Sequence, residues 1–358
     1  MITNLKICKL KTEGAIAPSA FQVTDVKKIL LILVGGTICT AVNEKGTLSV
    51  SEKAGFVLTD NFDKSDSEFA KKVNFTLTEN LFILSENMTV KNWNLIIETY
   101  RKYIVKDNFD GVIFAHGTDT LAYSSALFSL LLANTEIPVF FVSSNKRLDH
   151  PEANGNENFR CAVECICKGI SPNVYVSYKN ISDSQMYIHL ASRLKQCENY
   201  SDDFFSKGAV KSIEEINEDN RKNLPFGLND VHLSECVLML KPYPGINYNA
   251  FDYNRFKAIL HGTYHSGTAC AEDNENSVLH MIKLCKKSDI YLSPSIPEGE
   301  VYDTVRVIGE NKKIKFLYGL TNEMAYAKLL IAYSVFNNEN DISEFINTEY
   351  NYEITEKR

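Results

Sequence analysis

The chain has 358 residues, of which 44% are hydrophobic and 23% charged, and its 38 basic and 45 acidic side chains give a formal net charge of −7. This balance excludes a disordered chain, a collagen-like repeat and a disulfide-stapled miniprotein, and its length suits about two domains. No apolar run approaches the roughly 20 residues of a bilayer span, the first 28 residues lack a secretory apolar core, and Lys and Arg never cluster beyond a pair, so neither a membrane nor a nucleic acid is an expected partner.

In chain order, residues 1–28 read as an extension without clear period. Ile29 to Val34 is a continuous apolar run stopped by Gly35-Gly36, the pattern of a parallel strand covered on both faces. Gly111 to Ala115, Pro138 to Val142 and Asn173 to Tyr178 repeat it. Helical spacing lies between these runs, over Val90 to Ile104, Leu121 to Ala133 and Asn158 to Lys168. Strand and helix in alternation predict an α/β fold with a larger, doubly wound N-terminal domain over 29–205. Composition turns polar near Ser206 to Leu228, so 206–231 reads as a linker. A smaller C-terminal α/β domain over 232–358 comes next. Its strands are expected at Cys236 to Leu240, Ala258 to His261 and Ile290 to Ser293, and its helices at Asn276 to Lys286 and Asn322 to Phe336. Beyond Asn337 the tail is polar and reads as surface-lying.

Nine cysteines occur without a C-x-x-C pair. Cys161, Cys165 and Cys167 form the one cluster, and Cys161 and Cys165 share a helix face. They read as small buried hydrophobes rather than as a metal or redox site. No Cys/His/Asp set has convincing ligand spacing, so neither a metal nor an organic cofactor is expected.

Two segments carry chemistry. Gly35-Gly36-Thr37-Ile38 follows the first strand, and two glycines permit a sharp turn with room for a ligand. His116-Gly117-Thr118-Asp119-Thr120 follows the strand Gly111 to Ala115. Each places a threonine at the carboxyl end of a buried strand, where open α/β sheets bind ligands. Capping of the next helix accounts for one hydroxyl or carboxylate, but not for a second Gly-Thr turn after a second strand. His116 reads as a hydrogen-bonded structural residue. Lys168 ends a helix, a position that its dipole favours on its own.

These residues resemble the two signature segments of bacterial-type L-asparaginases and their glutaminase relatives, closest to the short type I branch. The likeness continues at Leu84-Ser85-Glu86-Asn87, Val142-Ser143-Ser144-Asn145, the helix carrying Lys168, His261-Gly262-Thr263 and Leu320 to Leu329, so it runs from Lys28 to Phe336. The resemblance implies an amidohydrolase that releases ammonia from L-asparagine or L-glutamine. It implies Thr37 as the acylated nucleophile and a second set, Thr118, Asp119 and Lys168, that relays protons. It further implies that Gly36, Ser85, Glu86, Gly117, Thr118, Asp119 and Ser144 bind substrate, and that amides near Ser144 and Thr118 form an oxyanion hole. A cytoplasmic homodimer or homotetramer, its site completed by a partner copy, belongs to the same implication.

The family's loop tyrosine, which hydrogen-bonds the first threonine, is missing. Cys39 to Val50 holds no Tyr, and Gly46-Thr47 stands where type I members read Gly-Tyr. Thr40, Thr47 or a group from a neighbouring subunit are the candidate substitutes. The position of an allosteric cysteine in some type I enzymes reads Ser295. Two further readings compete with the amidohydrolase. One is deamidation within a larger assembly, as in the archaeal glutamyl-tRNA amidotransferase subunit of this fold, against which the charge of −7 and the short N-terminal stretch argue. The other is a silent small-molecule binder.

Overall fold

The structure is a computed structural model that describes residues 26–42, 48–207, 221–295 and 302–355. The chain divides into two compact units, residues 1–221 and 222–358. Most of the N-terminal extension, the loop position Thr47 and the core of the polar linker lie outside the described residues.

The first unit is built on a six-stranded sheet. Its elements are β1 (Lys27–Leu33), the hairpin β2 (Thr40–Val42) and β3 (Leu48–Val50), α1 (Ala54–Asp63), β4 (Val73–Leu77), α2 (Val90–Ile104), β5 (Gly111–Ala115), α3 (Leu121–Leu131), β6 (Val139–Val142), α4 (Gly155–Cys167), β7 (Val174–Lys179), β8 (Met186–Leu190) and the two-stranded ribbon β9 (Leu194–Lys195) and β10 (Phe205–Ser206). The strand order is β4-β1-β5-β6-β7-β8. The first five strands run parallel and β8 is antiparallel to β7. Every residue of β5 and β6 is buried. Successive side chains point to opposite faces, so both faces of the sheet are covered, as the unbroken apolar runs require. Phe114 and Phe141 stack across β5 and β6 at 4.6 Å between centroids. At the start of α2, Thr89 and Asn92 form a reciprocal capping box, which begins the helix where the apolar period begins.

The second unit is a four-stranded parallel sheet of β11 (Val237–Leu240), β12 (Ala258–Gly262), β13 (Asp289–Ser295) and β14 (Ile314–Tyr318), with α5 (Val278–Leu284), α6 (Asp303–Gly309), α7 (Asn322–Val335) and α8 (Glu339–Asn347). The larger N-terminal and smaller C-terminal α/β architecture is the one the alternating pattern implies. The tail departs from expectation. Asn338 caps α8 by accepting from the Asp341 amide at 2.9 Å, and Phe345, Ile346 and Tyr350 are buried. Glu353, 1% exposed, meets Lys328 of α7 at 2.5 Å and accepts from the Tyr350 and Asn351 amides. A polar sequence thus closes over the unit because its few apolar residues fall on one helix face and its carboxylate has a buried cation waiting.

Candidate active site

Parallel strands deliver their carboxyl ends to one edge, and the two Gly-Thr turns meet there. β1 and β5 are immediate neighbours, with Leu33 opposite Ala115. Gly36 has φ +76°, and a Cβ built on it would stand 2.1 Å from the Gly117 Cα. A Cβ on Gly117 would stand 2.3 Å from the Ser85 Oγ. Only glycine therefore lets the two turns touch and the Ser85 side chain pack against them. Thr37 opens a single 3-10 turn, Thr37–Cys39, and is half-buried. Thr118 is half-buried and Asp119 exposed. Among the described residues neither threonine hydroxyl is engaged in a hydrogen bond. The Thr40 hydroxyl donates to the Thr37 carbonyl at 2.9 Å and so does not steer the Thr37 hydroxyl.

Ser85 is brought in by an irregularity beyond β4. The Leu81 amide donates to the Leu33 carbonyl and the Ile83 amide to the Val34 carbonyl, so Phe82 is an extra residue on one side of the ladder. It takes a left-handed φ of +55° while remaining 51% exposed. Such a bulge re-aims the next residues of its strand. The Gly36 amide then donates to the Ile83 carbonyl at 3.0 Å. Ser85 Oγ donates to Asp119 Oδ2 at 2.7 Å and accepts from the Asp119 amide at 3.2 Å. Thr120 donates to the Ser85 carbonyl at 3.0 Å. Glu86 is exposed in the same turn. Gly36, Thr37, Ser85, Gly117, Thr118 and Asp119 are thus one constellation.

Ser144 and Lys168 stand elsewhere. Ser144 follows β6, and its hydroxyl accepts from the Gly155 amide at 3.1 Å and donates to the Lys146 carbonyl. Its side chain is committed to starting α4. Lys168 is the C-cap of that helix, whose first residue packs on Ser144 at the carboxyl edge. Thirteen residues later, at about 1.5 Å per residue, the helix has returned roughly 20 Å to the amino edge. There Ile166 packs on Gly111, the first residue of β5. Lys168 Nζ faces Glu164 at 3.8 Å, Glu68 at 4.0 Å and the Phe69 ring. The Thr118–Asp119–Lys168 set is therefore corrected: Lys168 lies at the wrong edge of the sheet.

The segment that does reach Thr118 is Ala191–Gln196, packed along α3. Gln196 Nε2 donates to the Thr118 carbonyl at 3.3 Å. Arg193 and Lys195 are the cations of this segment, and the Lys207 amide donates to the Arg193 carbonyl at 2.9 Å. Burial and then Lys195 hold the Lys207 ammonium below its ordinary value. Sequence reasoning missed Gln196, since nothing local in a short antiparallel ribbon marks a contact to a turn 78 positions away.

His116 is buried, with Nδ1 2.7 Å from the Gly117 carbonyl and no partner for Nε2 among the described residues. That contact places the proton on Nδ1. Burial drives its pKa down to about 4, against smaller opposing effects of the Gly117 carbonyl and Asp119. The unfolded chain protonates near 6.5 and the native chain only near 4, so the unfolded state binds the extra proton in between. Stability is expected to fall as pH drops through that window, by roughly 3 kcal/mol from this residue. Buried His189, lowered to about 3, and His261, lowered to about 4, act in the same direction. Urea midpoints at pH 7 and pH 4.5 check this; a midpoint unchanged or higher at pH 4.5 contradicts it.

Residues 28–225, more than half of the chain, match the family described as Asparaginase, N-terminal. The D subunit of glutamyl-tRNA(Gln) amidotransferase from Methanothermobacter thermautotrophicus is 27% identical over 235 residues, covering 62% of this chain and 52% of the relative. The chain thus spans about half the length of that relative. The protein of the same name from Methanobrevibacter smithii is 26% identical over 353 residues, covering 92% of this chain and 78% of the relative. The thermostable L-asparaginase from Thermococcus kodakarensis has a like fold, with TM-score 0.72 at 21% identity over 92% of this chain and 99% of the other.

Proposed function

Because the chain belongs to the asparaginase family, we propose that it is an amidohydrolase that releases ammonia from L-asparagine or L-glutamine. The observation that carries this reading is the abutment of the Gly36 and Gly117 turns, which sets two threonine hydroxyls, unengaged among the described residues, beside a Ser85–Asp119 pair. In this reading Thr37 Oγ attacks the amide carbon and becomes acylated. Thr118 relays the proton that Thr37 loses to the departing ammonia and later helps activate water. Ser85 and Asp119 hold the substrate's carboxylate and ammonium ends, and Glu86 adds negative charge for the latter. Backbone amides at Thr118 and Ser144 face the oxyanion. The chain acts without metal or organic cofactor, in the cytoplasm, as a homodimer or homotetramer.

The test is ammonia release by the purified chain from asparagine, from glutamine and from a blank. Release above the blank from either amide supports the reading; none from either turns it toward a silent binder. A second reading, ammonia supply within a larger amidotransferase assembly, is favoured by the names of the relatives. It predicts glutamine turnover that rises when an amidotransferase partner is added.

The corrected position of Lys168 separates two expectations. Lys168→Ala is expected to leave kcat within about twofold. Gln196→Leu removes one hydrogen bond to the Thr118 turn, worth about 0.5–1.5 kcal/mol, so a loss of roughly two- to tenfold is expected. Steady-state kinetics on the two variants check both, and a large loss in Lys168→Ala alone would restore the lysine to the site.

A further inference from the structure

A row of polar side chains crosses the first sheet beside the Thr118 turn. The ladder pairs Ala115 with Val142 and Val142 with Ser177, and the His116 amide extends it by donating to the Val142 carbonyl at 2.9 Å. The next residues in register are therefore His116, Ser143 and Tyr178, and Tyr178 is opposite Tyr187 of β8. Side chains alternate along a strand, so this row shares a face with Phe114 and Phe141. Phe128 of α3 packs on both of those rings, with centroids 5.1 and 5.7 Å away. Two residues back on each strand, Phe114, Phe141 and Val176 make the neighbouring row apolar.

His116, Ser143 and Tyr178 are each 0% exposed, and among the described residues His116 Nε2, Ser143 Oγ and the Tyr178 hydroxyl have no hydrogen-bond partner. At the outer end of the row the Tyr187 hydroxyl donates to Asp183. Asn154 is near enough to act on the Tyr178 hydroxyl, but its side chain already serves the Lys179 carbonyl and the Asn145 amide. Rings wall the row: Phe141 stands 6.0 Å from the imidazole and Phe204 4.8 Å from the Tyr178 ring. Three buried polar atoms on three adjacent strands thus look for a partner in one place. Native proteins almost always satisfy such atoms, with protein or with ordered water.

We propose that His116, Ser143 and Tyr178 bind internal water that holds the Thr118 turn in place. The donor set selects the ligand. The Nδ1–H of His116 is spent on the Gly117 carbonyl, so Nε2 only accepts, whereas the two hydroxyls donate or accept. A cation would want a carboxylate and an anion a lysine or arginine, and none of the three side chains is either. Water donates twice and accepts twice, so it bridges an acceptor-only nitrogen to hydroxyls, as buried waters commonly do. The imidazole is then fixed at both nitrogens, by water at Nε2 and by the Gly117 carbonyl at Nδ1. That carbonyl belongs to the residue that abuts Gly36 and precedes Thr118. The water therefore steadies the Thr118 hydroxyl without meeting the substrate.

The experiment joins a crystal structure of the unaltered chain to urea unfolding of Ser143→Ala and Tyr178→Phe. Ordered water within about 3.2 Å of each of the three atoms is expected. A lower urea midpoint is expected in both variants, since each loses a hydrogen bond to that water. The sign decides, because deleting a buried hydroxyl that had no partner relieves an unsatisfied group and does not lower the midpoint. A dry site, or a midpoint that stays or rises in either variant, overturns the proposal. The positioning role rests on the amidohydrolase reading and is read in kinetics. Ser143→Ala is expected to lower kcat roughly two- to tenfold with KM within about twofold. His116→Asn places its amide nitrogen where Nδ1 stands and keeps the donor to the Gly117 carbonyl. It is expected to retain more turnover than His116→Gln, whose amide stands at Nε2. An equal or reversed order, or an unchanged kcat in Ser143→Ala, overturns the positioning role. If the unaltered chain releases no ammonia, the amidohydrolase reading fails, while the crystal structure and the midpoints still decide the water.

Discussion

Thr37→Ala is expected to lower amide turnover by about 10⁴-fold or more, leaving substrate affinity nearly unchanged. The substitution removes the proposed attacking oxygen together with the γ-methyl group, and among the described residues the hydroxyl makes no hydrogen bond whose loss would disturb the turn. Thr118→Ala removes the proposed proton relay, so its expected cost is smaller, about 10²- to 10⁴-fold. A mass shift of the intact chain on rapid quenching with substrate, present in the parent and absent in Thr37→Ala, identifies the acylated residue. If Thr37→Ala turns over normally while Thr118→Ala is dead, the two threonines exchange roles. The Ser85–Asp119 hydrogen bond at 2.7 Å gives an internal control. Ser85→Ala is directed at substrate hold and is read in KM before kcat.

The largest expected effect on stability lies in the second unit. Lys328 and Glu353 are 0% and 1% exposed, and the lysine also donates to the Thr348 carbonyl at 2.5 Å. Removing one member strands the other charge away from water, so Lys328→Met or Glu353→Leu is expected to cost about 3–5 kcal/mol. The double substitution removes both charges together. It still orphans the Tyr350 and Asn351 amides, which Glu353 accepts from at 3.0 and 2.7 Å, and a residual cost of about 1–3 kcal/mol remains. Urea unfolding of the three variants measures the coupling. Strict additivity of the two single losses would mean that the pair acts as two separate contacts rather than as one.

The parts of the fold that are legible from sequence are those where burial is complete. Ile29 to Leu33, Gly111 to Ala115 and Val139 to Val142 are apolar at every position because both faces of the sheet are covered. β4 escapes the pattern because Val73–Leu77 sits at the sheet's edge with a mostly half-exposed face, so Asn74 and Thr76 break the run. The tail misleads because composition hides spacing: Ile342, Phe345 and Ile346 recur at helical intervals in a polar stretch. In the site, the Gly-Thr turns are legible since glycine is demanded by backbone contact. Ser85 is legible only through family likeness, because its approach depends on the Phe82 bulge. Lys168 is misplaced by that likeness although topology argues against it: a helix that follows a parallel strand runs back, so its last residue belongs to the opposite edge.

The touching backbones of Gly36 and Gly117 have a consequence for how such a site diversifies. The two turns rise from adjacent strands, so the gap between them is set by the interstrand spacing of a sheet, about 4.8 Å, and not by any loop. In the proposed reading, a bound amide lies across this gap like a plank over two joists. Ser85, the segment Ala191–Gln196 and the hairpin after Thr37 form a rim around a floor that they do not support. Lengthening or rewriting the rim changes which molecule is gripped while the reach between the two hydroxyls stays constant. Selection on substrate choice therefore has a wide field of rim positions in which to act, and almost none in the floor.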